Sequence, residues 1–275
     1  MLSSVRLKFS PLPQQGPAER KLRPQEQDLR PGEVDDPYFE QHRIRQSEDF
    51  PRYIAIEGPI GAGKTTLAEM LADRMRSELI LERYEENPFL PNFYEDRSRL
   101  AFQTQIFFLL SRYRQQQELF QTDLFYSSLV SDYIFAKDRI FAAINLTDDE
   151  LKLYDQIEHA LGKTVPTPDV VIYLQATVDA LEENIHKRGR PFEKKISREY
   201  LNSVIEAYNE YFFHFRDTRL IVIDAGHMDI LGNPQHVETV LAAIYRSPHP
   251  PVEYLSIGGG PQGAMPGTLF STEGD

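Results

Sequence analysis

Between residues 51 and 246 the chain alternates short, β-branched apolar runs with longer segments whose apolar residues recur every three or four positions. The short runs predict strands at 53–57, 78–82, 128–132, 169–174 and 219–224. The longer pattern predicts helices near 63–76, 98–121, 134–144, 148–161, 177–187, 197–216 and 234–246. Val170–Leu174 and Leu220–Ile223 are apolar at every position, as strands covered on both faces are. Strands alternating with helices imply right-handed crossovers. The expected architecture is therefore α/β in three layers, a five-stranded parallel sheet flanked by helices. In such folds ligands bind beyond the carboxyl ends of the strands.

The flanks break this pattern. Residues 1–50 are rich in Pro, Gln, Arg and Glu and read as a disordered extension. Ser3, Ser4, Arg6 and Lys8 precede the first acidic residue, Glu19, in faint likeness to an organelle transit peptide. Residues 247–275, with Pro248, Pro250, Pro251 and Gly258-Gly259-Gly260-Pro261, read as a flexible tail. A single domain over 51–246 remains. Thirty Lys and Arg against 42 Asp and Glu give a net charge of −12, which argues against coating nucleic acid. There is no cysteine, so disulfides, thiolate metal sites and cysteine nucleophiles are excluded. The seven histidines show no metal-binding spacing. No apolar run reaches the ~20 residues of a membrane span, and a cytoplasmic location is expected.

The densest chemistry lies at Gly58-Pro59-Ile60-Gly61-Ala62-Gly63-Lys64-Thr65, a complete GxxxxGK[ST] sequence between a predicted strand and a predicted helix. The glycines let successive N–H groups converge on an anion at a helix N-terminus, which Thr66 continues. Lys64 would reach the β- and γ-phosphates of ATP, and the Thr65 hydroxyl would ligate Mg²⁺.

Other candidates fall at strand ends or on helix 98–121. Glu82 ends the second strand and Asp132 the third. A carboxylate beside the loop is placed to hold Mg²⁺ through its water shell. Each also reads alone as an N-cap, a turn residue or solvated charge, and Glu85 and Glu86 follow Glu82. Arg188-Gly189-Arg190-Pro191-Phe192-Glu193-Lys194 predicts a mobile flap. Its arginines suit a transferring phosphoryl group, or the carboxyl end of the preceding helix. Phe102, Gln105, Leu109 and Arg112 share one face of the long helix. Buried without partners, Gln105 and Arg112 would cost about 1–3 kcal/mol each. Either the protein or a ligand satisfies them, and Asp138 is a candidate for Arg112.

Taken in order, these segments resemble the deoxynucleoside kinase family. The likeness rests on Gly58–Thr65, Glu82 with Asn87-Pro88, and Phe93-Tyr94-Glu95-Asp96. It continues through Gln105 to Ser111-Arg112, Asp132 to Asp138-Arg139, and Arg188-Gly189-Arg190 with Glu193. It covers residues 52–246 and is strong toward the bacterial deoxyadenosine/deoxyguanosine branch. The resemblance implies a P-loop kinase fold and transfer of the γ-phosphoryl group of ATP, with Mg²⁺, to the 5′-hydroxyl of a deoxynucleoside. Glu82 then matches the general base, and Tyr94 and Glu193 match the groups that hold the sugar 3′-hydroxyl. Gln105 matches the base-reading amide, with Arg112 and Asp138 beyond it. Asp132 matches the acid of the family's Asp/Glu-Arg-Ser motif, and Arg188 and Arg190 match the flap arginines. The resemblance also implies a homodimer, and it favours purines.

Two segments depart from the family, at three positions. Tyr133 and Ile134 replace the usual Arg and Ser after the strand-three acid, and Asn184 replaces an arginine before the flap. Lys137, Arg139 and Lys187 are the cations available to compensate. These departures favour an alternative, a kinase-derived accessory protein that binds nucleotide with little turnover. Intact Lys64, Thr65, Glu82, Asp132 and Arg190 oppose it. A thymidylate-type monophosphate kinase is a further alternative, opposed by Glu82, Glu85 and Glu86 where a second anion would bind.

Overall fold

The computed structural model describes residues 51–122, 128–163, 165–229 and 231–257. The extension expected over 1–50 lies outside them, as does the part of the expected tail after 257. Among the described residues, strands β1 (Tyr53–Glu57), β2 (Glu78–Ile80), β3 (Leu129–Ser131), β4 (Val170–Gln175), β5 (Arg219–Asp224) and β6 (Val252–Leu255) form one sheet. Its order is β2-β3-β1-β4-β5-β6 and every pairing is parallel. The connecting helices are α1 (Lys64–Met75), α2 (Leu90–Phe93), α3 (Arg97–Thr122), α4 (Lys137–Asn145), α5 (Asp148–Gly162), α6 (Val178–Arg188), α7 (Arg198–His214) and α8 (Pro234–Ile244).

Period-two alternation divides each central strand between two cores. Ile54, Ile56, Ile172, Leu174, Ile221 and Ile223 face α1, α6 and α8, through Leu67, Leu71, Leu181, Val240 and Leu241. Tyr53, Ala55, Val171, Tyr173 and Val222 face the other way, against Phe93, Ile140, Tyr208 and Phe212. The strands are thus sealed on both faces, which is why they read as unbroken apolar runs. Each fully buried side chain among them contributes about 1.5–3 kcal/mol.

The sheet has six strands rather than five. β6 lies inside the segment that reads as a tail, because charge holds it instead of an apolar pattern. Arg219, on β5, donates to the α8 carbonyls of Ile244 at 2.8 Å and Ala243 at 2.7 Å, and to Glu253 of β6 at 3.1 Å. Arg246 pairs with the same Glu253, while the neighbouring Tyr254 is 70% exposed. One buried carboxylate therefore ties a polar edge strand to its neighbour. Of the segment 188–194, expected as a flap, Arg188 closes α6, Gly189 caps it, and Pro191–Lys195 form a short 3-10 turn. α2 is too short to show a helical period.

Candidate functional site

The glycine loop leaves the carboxyl end of β1, at the centre of the sheet, and its geometry demands small residues. A Cβ at Gly58 would stand 2.7 Å from the Leu174 carbonyl oxygen. Gly61 has φ of 90°, and a Cβ there would meet the Leu181 carbonyl oxygen at 2.9 Å. Glu57, completely buried, fixes the start of the loop. Its Oε1 accepts from the Gly58 N–H and the Tyr208 hydroxyl, both at 2.9 Å, and its Oε2 from the Ile134 N–H at 3.0 Å. The sequence reading passed over this residue. The signal was there, since a carboxylate ending an all-buried central strand must have a job.

Lys64 curls back over the loop, its Nζ donating to the carbonyls of Gly58 (2.8 Å) and Pro59 (2.9 Å). Burial, and then the nearby positive charge of Lys137, push its pKa down to about 8. The Thr65 hydroxyl donates to Asp132 Oδ2 at 2.7 Å, and Asp132 Oδ1 accepts from the Glu82 N–H at 2.8 Å. Asp132 thus links the loop to the end of the β2 segment. A hydroxyl and one carboxylate are hard oxygen donors that suit Mg²⁺, which usually takes the rest of its shell from phosphates and water. The described residues hold no group of three or more His, Cys, Asp or Glu side chains placed to hold a metal ion.

Beyond the loop a cavity of ≈ 810 Å³ opens between the sheet, α3, α4 and the 188–193 segment. Ile60, Lys64, Thr65, Glu82, Tyr94, Gln105, Arg112, Asp132, Asp138, Arg188, Arg190 and Glu193 all line it. The remaining loop positions, Gly58, Pro59, Gly61, Ala62, Gly63 and Thr66, lie outside its wall. Glu85 accepts from its neighbour's hydroxyl, Tyr84 Oη, at 2.6 Å on the exposed rim.

Glu82 sits in a network of charge. Its Oε1 accepts from Arg112 Nη2 and its Oε2 from Lys137 Nζ, the latter at 2.6 Å. Burial favours a proton on Glu82, but Arg112 and Lys137 outweigh it and hold the carboxyl well below the usual range. Arg112, 3% exposed, also donates Nη1 to Asp138. This settles one open choice, since Arg112 has protein partners. Gln105 does not have a full set. Gln105 Oε1, Thr104 Oγ1, Gln115 Oε1 and Asp138 Oδ2 are buried with no hydrogen-bond partner among the described residues, and all four residues line the cavity. Thr104 and Gln115 were not anticipated, because a single sequence does not show which side chains lose their partners on folding.

On the opposite wall Glu193 accepts from Arg188 at 3.1 and 2.7 Å and from Arg190 at 3.3 Å. Arg190 lies 4.0 Å over the Tyr84 ring. Phe192 stacks on Tyr94 with centroids 6.5 Å apart and planes within 4°. Burial, followed by the phenol of Tyr200 and the charge of Glu193, raises the Tyr94 pKa well above its ordinary value, so Tyr94 stays a neutral donor. The departing positions point away from the cavity. Tyr133 is fully buried, its hydroxyl 3.5 Å from Gln116 Nε2. Asn184 donates to the Gly61 carbonyl at 2.9 Å and braces the loop.

Comparison with known proteins identifies the family and the fold. Residues 54–247 match the family model for deoxynucleoside kinase. The chain is 37% identical over 199 residues to deoxyguanosine kinase of Bacillus subtilis (strain 168), covering 70% of this chain and 95% of that one. It is 32% identical over 200 residues to a deoxyadenosine kinase of Dictyostelium discoideum, covering 71% and 80%. Among solved structures, deoxyadenosine kinase from M. mycoides with bound dATP superposes with a TM-score of 0.63 at 25% identity, covering 70% of this chain and 100% of that one.

Proposed function

The chain belongs to the deoxynucleoside kinase family, and from that premise we propose that it transfers the γ-phosphoryl group of ATP to the 5′-hydroxyl of a purine deoxynucleoside. The observation that carries this reading is the cavity itself. It joins a phosphate loop to a wall of buried polar atoms without partners among the described residues, and such atoms call for a ligand.

The residues divide the work. Lys64 and the loop amides take the phosphates. Thr65 and Asp132 would hold Mg²⁺, which when bound neutralises phosphate charge. Glu82, kept ionised by its two cations, orients the 5′-hydroxyl and accepts its proton late in the transfer. Phosphoryl transfer asks for little covalent chemistry, so positioning and charge do most of the work. Tyr94 and Glu193 receive the sugar 3′-hydroxyl. Gln105, Arg112 and Asp138 face the base. A purine edge carries both donors and acceptors, which suits the Gln105 amide, the Thr104 hydroxyl and the vacant lone pairs of Asp138 Oδ2. Thymine would set a methyl group against the same atoms. The 188–193 segment serves as a flap that delivers Arg188 and Arg190 to the phosphates.

A homodimer and a cytoplasmic location complete the reading. The first comes from the family resemblance, and exposed Leu110 on α3 is compatible with it. Radiolabelled ATP with deoxyadenosine, deoxyguanosine, deoxycytidine, thymidine and their monophosphates tests the assignment. We expect the purine deoxynucleosides to give the highest kcat/KM. Thymidine as best substrate would refute the pocket assignment, and phosphorylation of monophosphates alone would refute the acceptor class.

A further inference from the structure

The cavity wall holds a cation that the sequence motifs do not account for, Lys137. It opens α4 directly before Asp138 and is 6% exposed. Burying an ammonium group is costly unless it is paired. Among the described residues its side-chain hydrogen bond goes to Glu82 Oε2, which leaves its other N–H groups for a ligand. It lines the same cavity as Lys64, and its charge helps push the Lys64 pKa down. Lys137 is therefore a cation paired with Glu82 in the same cavity wall that holds the loop lysine, Lys64.

Nearby cations are placed differently. Arg112 is divided between Glu82 and Asp138. Arg188 and Arg190 both rest on Glu193. Arg139 pairs with Asp155 at 2.6 Å and Lys187 with Glu183 at 2.7 Å, and neither lines the cavity. Tyr133, beside Asp132, brings no charge.

We propose that Lys137 is a catalytic cation that contacts the transferring phosphoryl group, an inference that rests on the kinase reading above. An acceptor 5′-hydroxyl donating to Glu82 Oε2 takes the place of the Lys137 ammonium, which turns toward the oxygens of the γ-phosphoryl group. The bond from the 5′-oxygen to phosphorus forms. The bond from phosphorus to the bridging oxygen breaks, its electron pair leaving with ADP. The hydroxyl proton passes to the Glu82 carboxylate. Lys137 keeps its own proton throughout and offsets charge on the phosphoryl oxygens.

The test compares the full chain with Lys137→Gln, Lys137→Met and Lys137→Arg. In the two neutral variants kcat is expected to fall about 100- to 1000-fold, the scale for removing one preorganised charge-stabilising donor. KM for the deoxynucleoside should change by less than about threefold, because the contact is to the phosphoryl group and not to the acceptor. Lys137→Arg should recover most of the loss. Calorimetry adds a readout that a merely structural role would not move. With saturating deoxynucleoside present, the preference for a non-hydrolysable ATP analogue over ADP should shrink about tenfold in the neutral variants, as expected for losing one charge-assisted hydrogen bond. Neutral variants with wild-type kcat, or with lost kcat and an unchanged preference, overturn the proposal.

Isotope-labelled wild-type protein gives a readout that does not depend on how the neutral variants fold. The ammonium signal assigned through Lys137→Arg should shift with the ATP analogue plus deoxynucleoside and not with ADP plus deoxynucleoside. Equal shifts overturn the proposal. Wild-type protein that never phosphorylates a deoxynucleoside rejects the kinase reading instead.

Discussion

Arg112→Met is the substitution that the site geometry makes most costly. The guanidinium is buried between two carboxylates, Asp138 at 1% exposure and Glu82. Methionine fills the volume without the charge. Glu82 keeps Lys137 at 2.6 Å, so most of the loss falls on Asp138, whose second oxygen already lacks a partner. Removing one member of a buried ion pair costs about 3–5 kcal/mol. At about 2–4 °C per kcal/mol for a domain of this size, Tm should fall by roughly 6–20 °C. A buried carboxylate without its cation favours the protonated form, which raises its pKa in the folded variant above the unfolded value. The loss is then full at neutral pH and shrinks as pH falls. Asp138→Asn in the same chain removes the stranded charge and should return about half of the lost Tm or more. Thermal melts of the wild type, both single variants and the double variant, at about pH 5.5 and 7.5, give the cycle. A Tm for Arg112→Met within about 2 °C of wild type, or no recovery in the double variant, would refute the buried pair.

Further outcomes follow from the same geometry. Lys64→Ala should abolish turnover and weaken binding of a non-hydrolysable ATP analogue in calorimetry, and a folded variant with unchanged affinity and rate would sink the loop assignment. Glu82→Gln should keep deoxynucleoside binding while kcat falls ~100-fold or more. Because Arg112 and Lys137 hold Glu82 ionised in the free protein, wild-type kcat/KM should show no acid limb between about pH 5 and 7, and a limb near pH 6 would contradict that. Lys64 titrates near pH 8 in the free protein, so affinity for the ATP analogue should fall as pH rises past that value. Bound phosphates favour the charged amine, so binding at about pH 8.5 should take up protons, and equal heats in buffers of different ionisation enthalpy would argue against it.

The central strands and most helices were legible because their information is local. β1 and β5 fall where their apolar runs end, and α7 starts at Ser197, whose hydroxyl accepts from the Tyr200 N–H at 3.2 Å. What escaped was held by contacts distant in sequence. β6 depends on Arg219 reaching Glu253, and the loop anchor Glu57 depends on Tyr208. The candidate residues were legible as a set, since folding brings them around one cavity. Their partners were not. Three cations were equally available in the sequence to replace the missing arginine, and only burial separates Lys137 from Arg139 and Lys187.

The resting site keeps its cations on carboxylates. Lys137 and Arg112 hold Glu82, Arg112 also holds Asp138, and Arg188 and Arg190 hold Glu193. In the proposed function these carboxylates face the neutral substrate: Glu82 the 5′-hydroxyl, Glu193 the 3′-hydroxyl and Asp138 the base. A deoxynucleoside that engages them competes with the cations that hold them, and in this reading Lys137, Arg188 and Arg190, once freed, turn to the phosphates. Acceptor binding and charge stabilisation of the phosphoryl group are then one event, a form of binding energy used to assemble the site. Water in the acceptor position lacks the 3′-hydroxyl and the base, so it leaves the flap arginines on Glu193. ATP hydrolysis without deoxynucleoside should therefore run at least ~100-fold below transfer, the scale of a missing charge-stabilising group. Glu193→Gln, which loosens Arg188 and Arg190, should narrow that gap by raising hydrolysis relative to transfer. A phosphate-release assay with and without deoxynucleoside reads both rates. A gap that Glu193→Gln leaves unchanged would show that the flap arginines do not depend on the acceptor for their release.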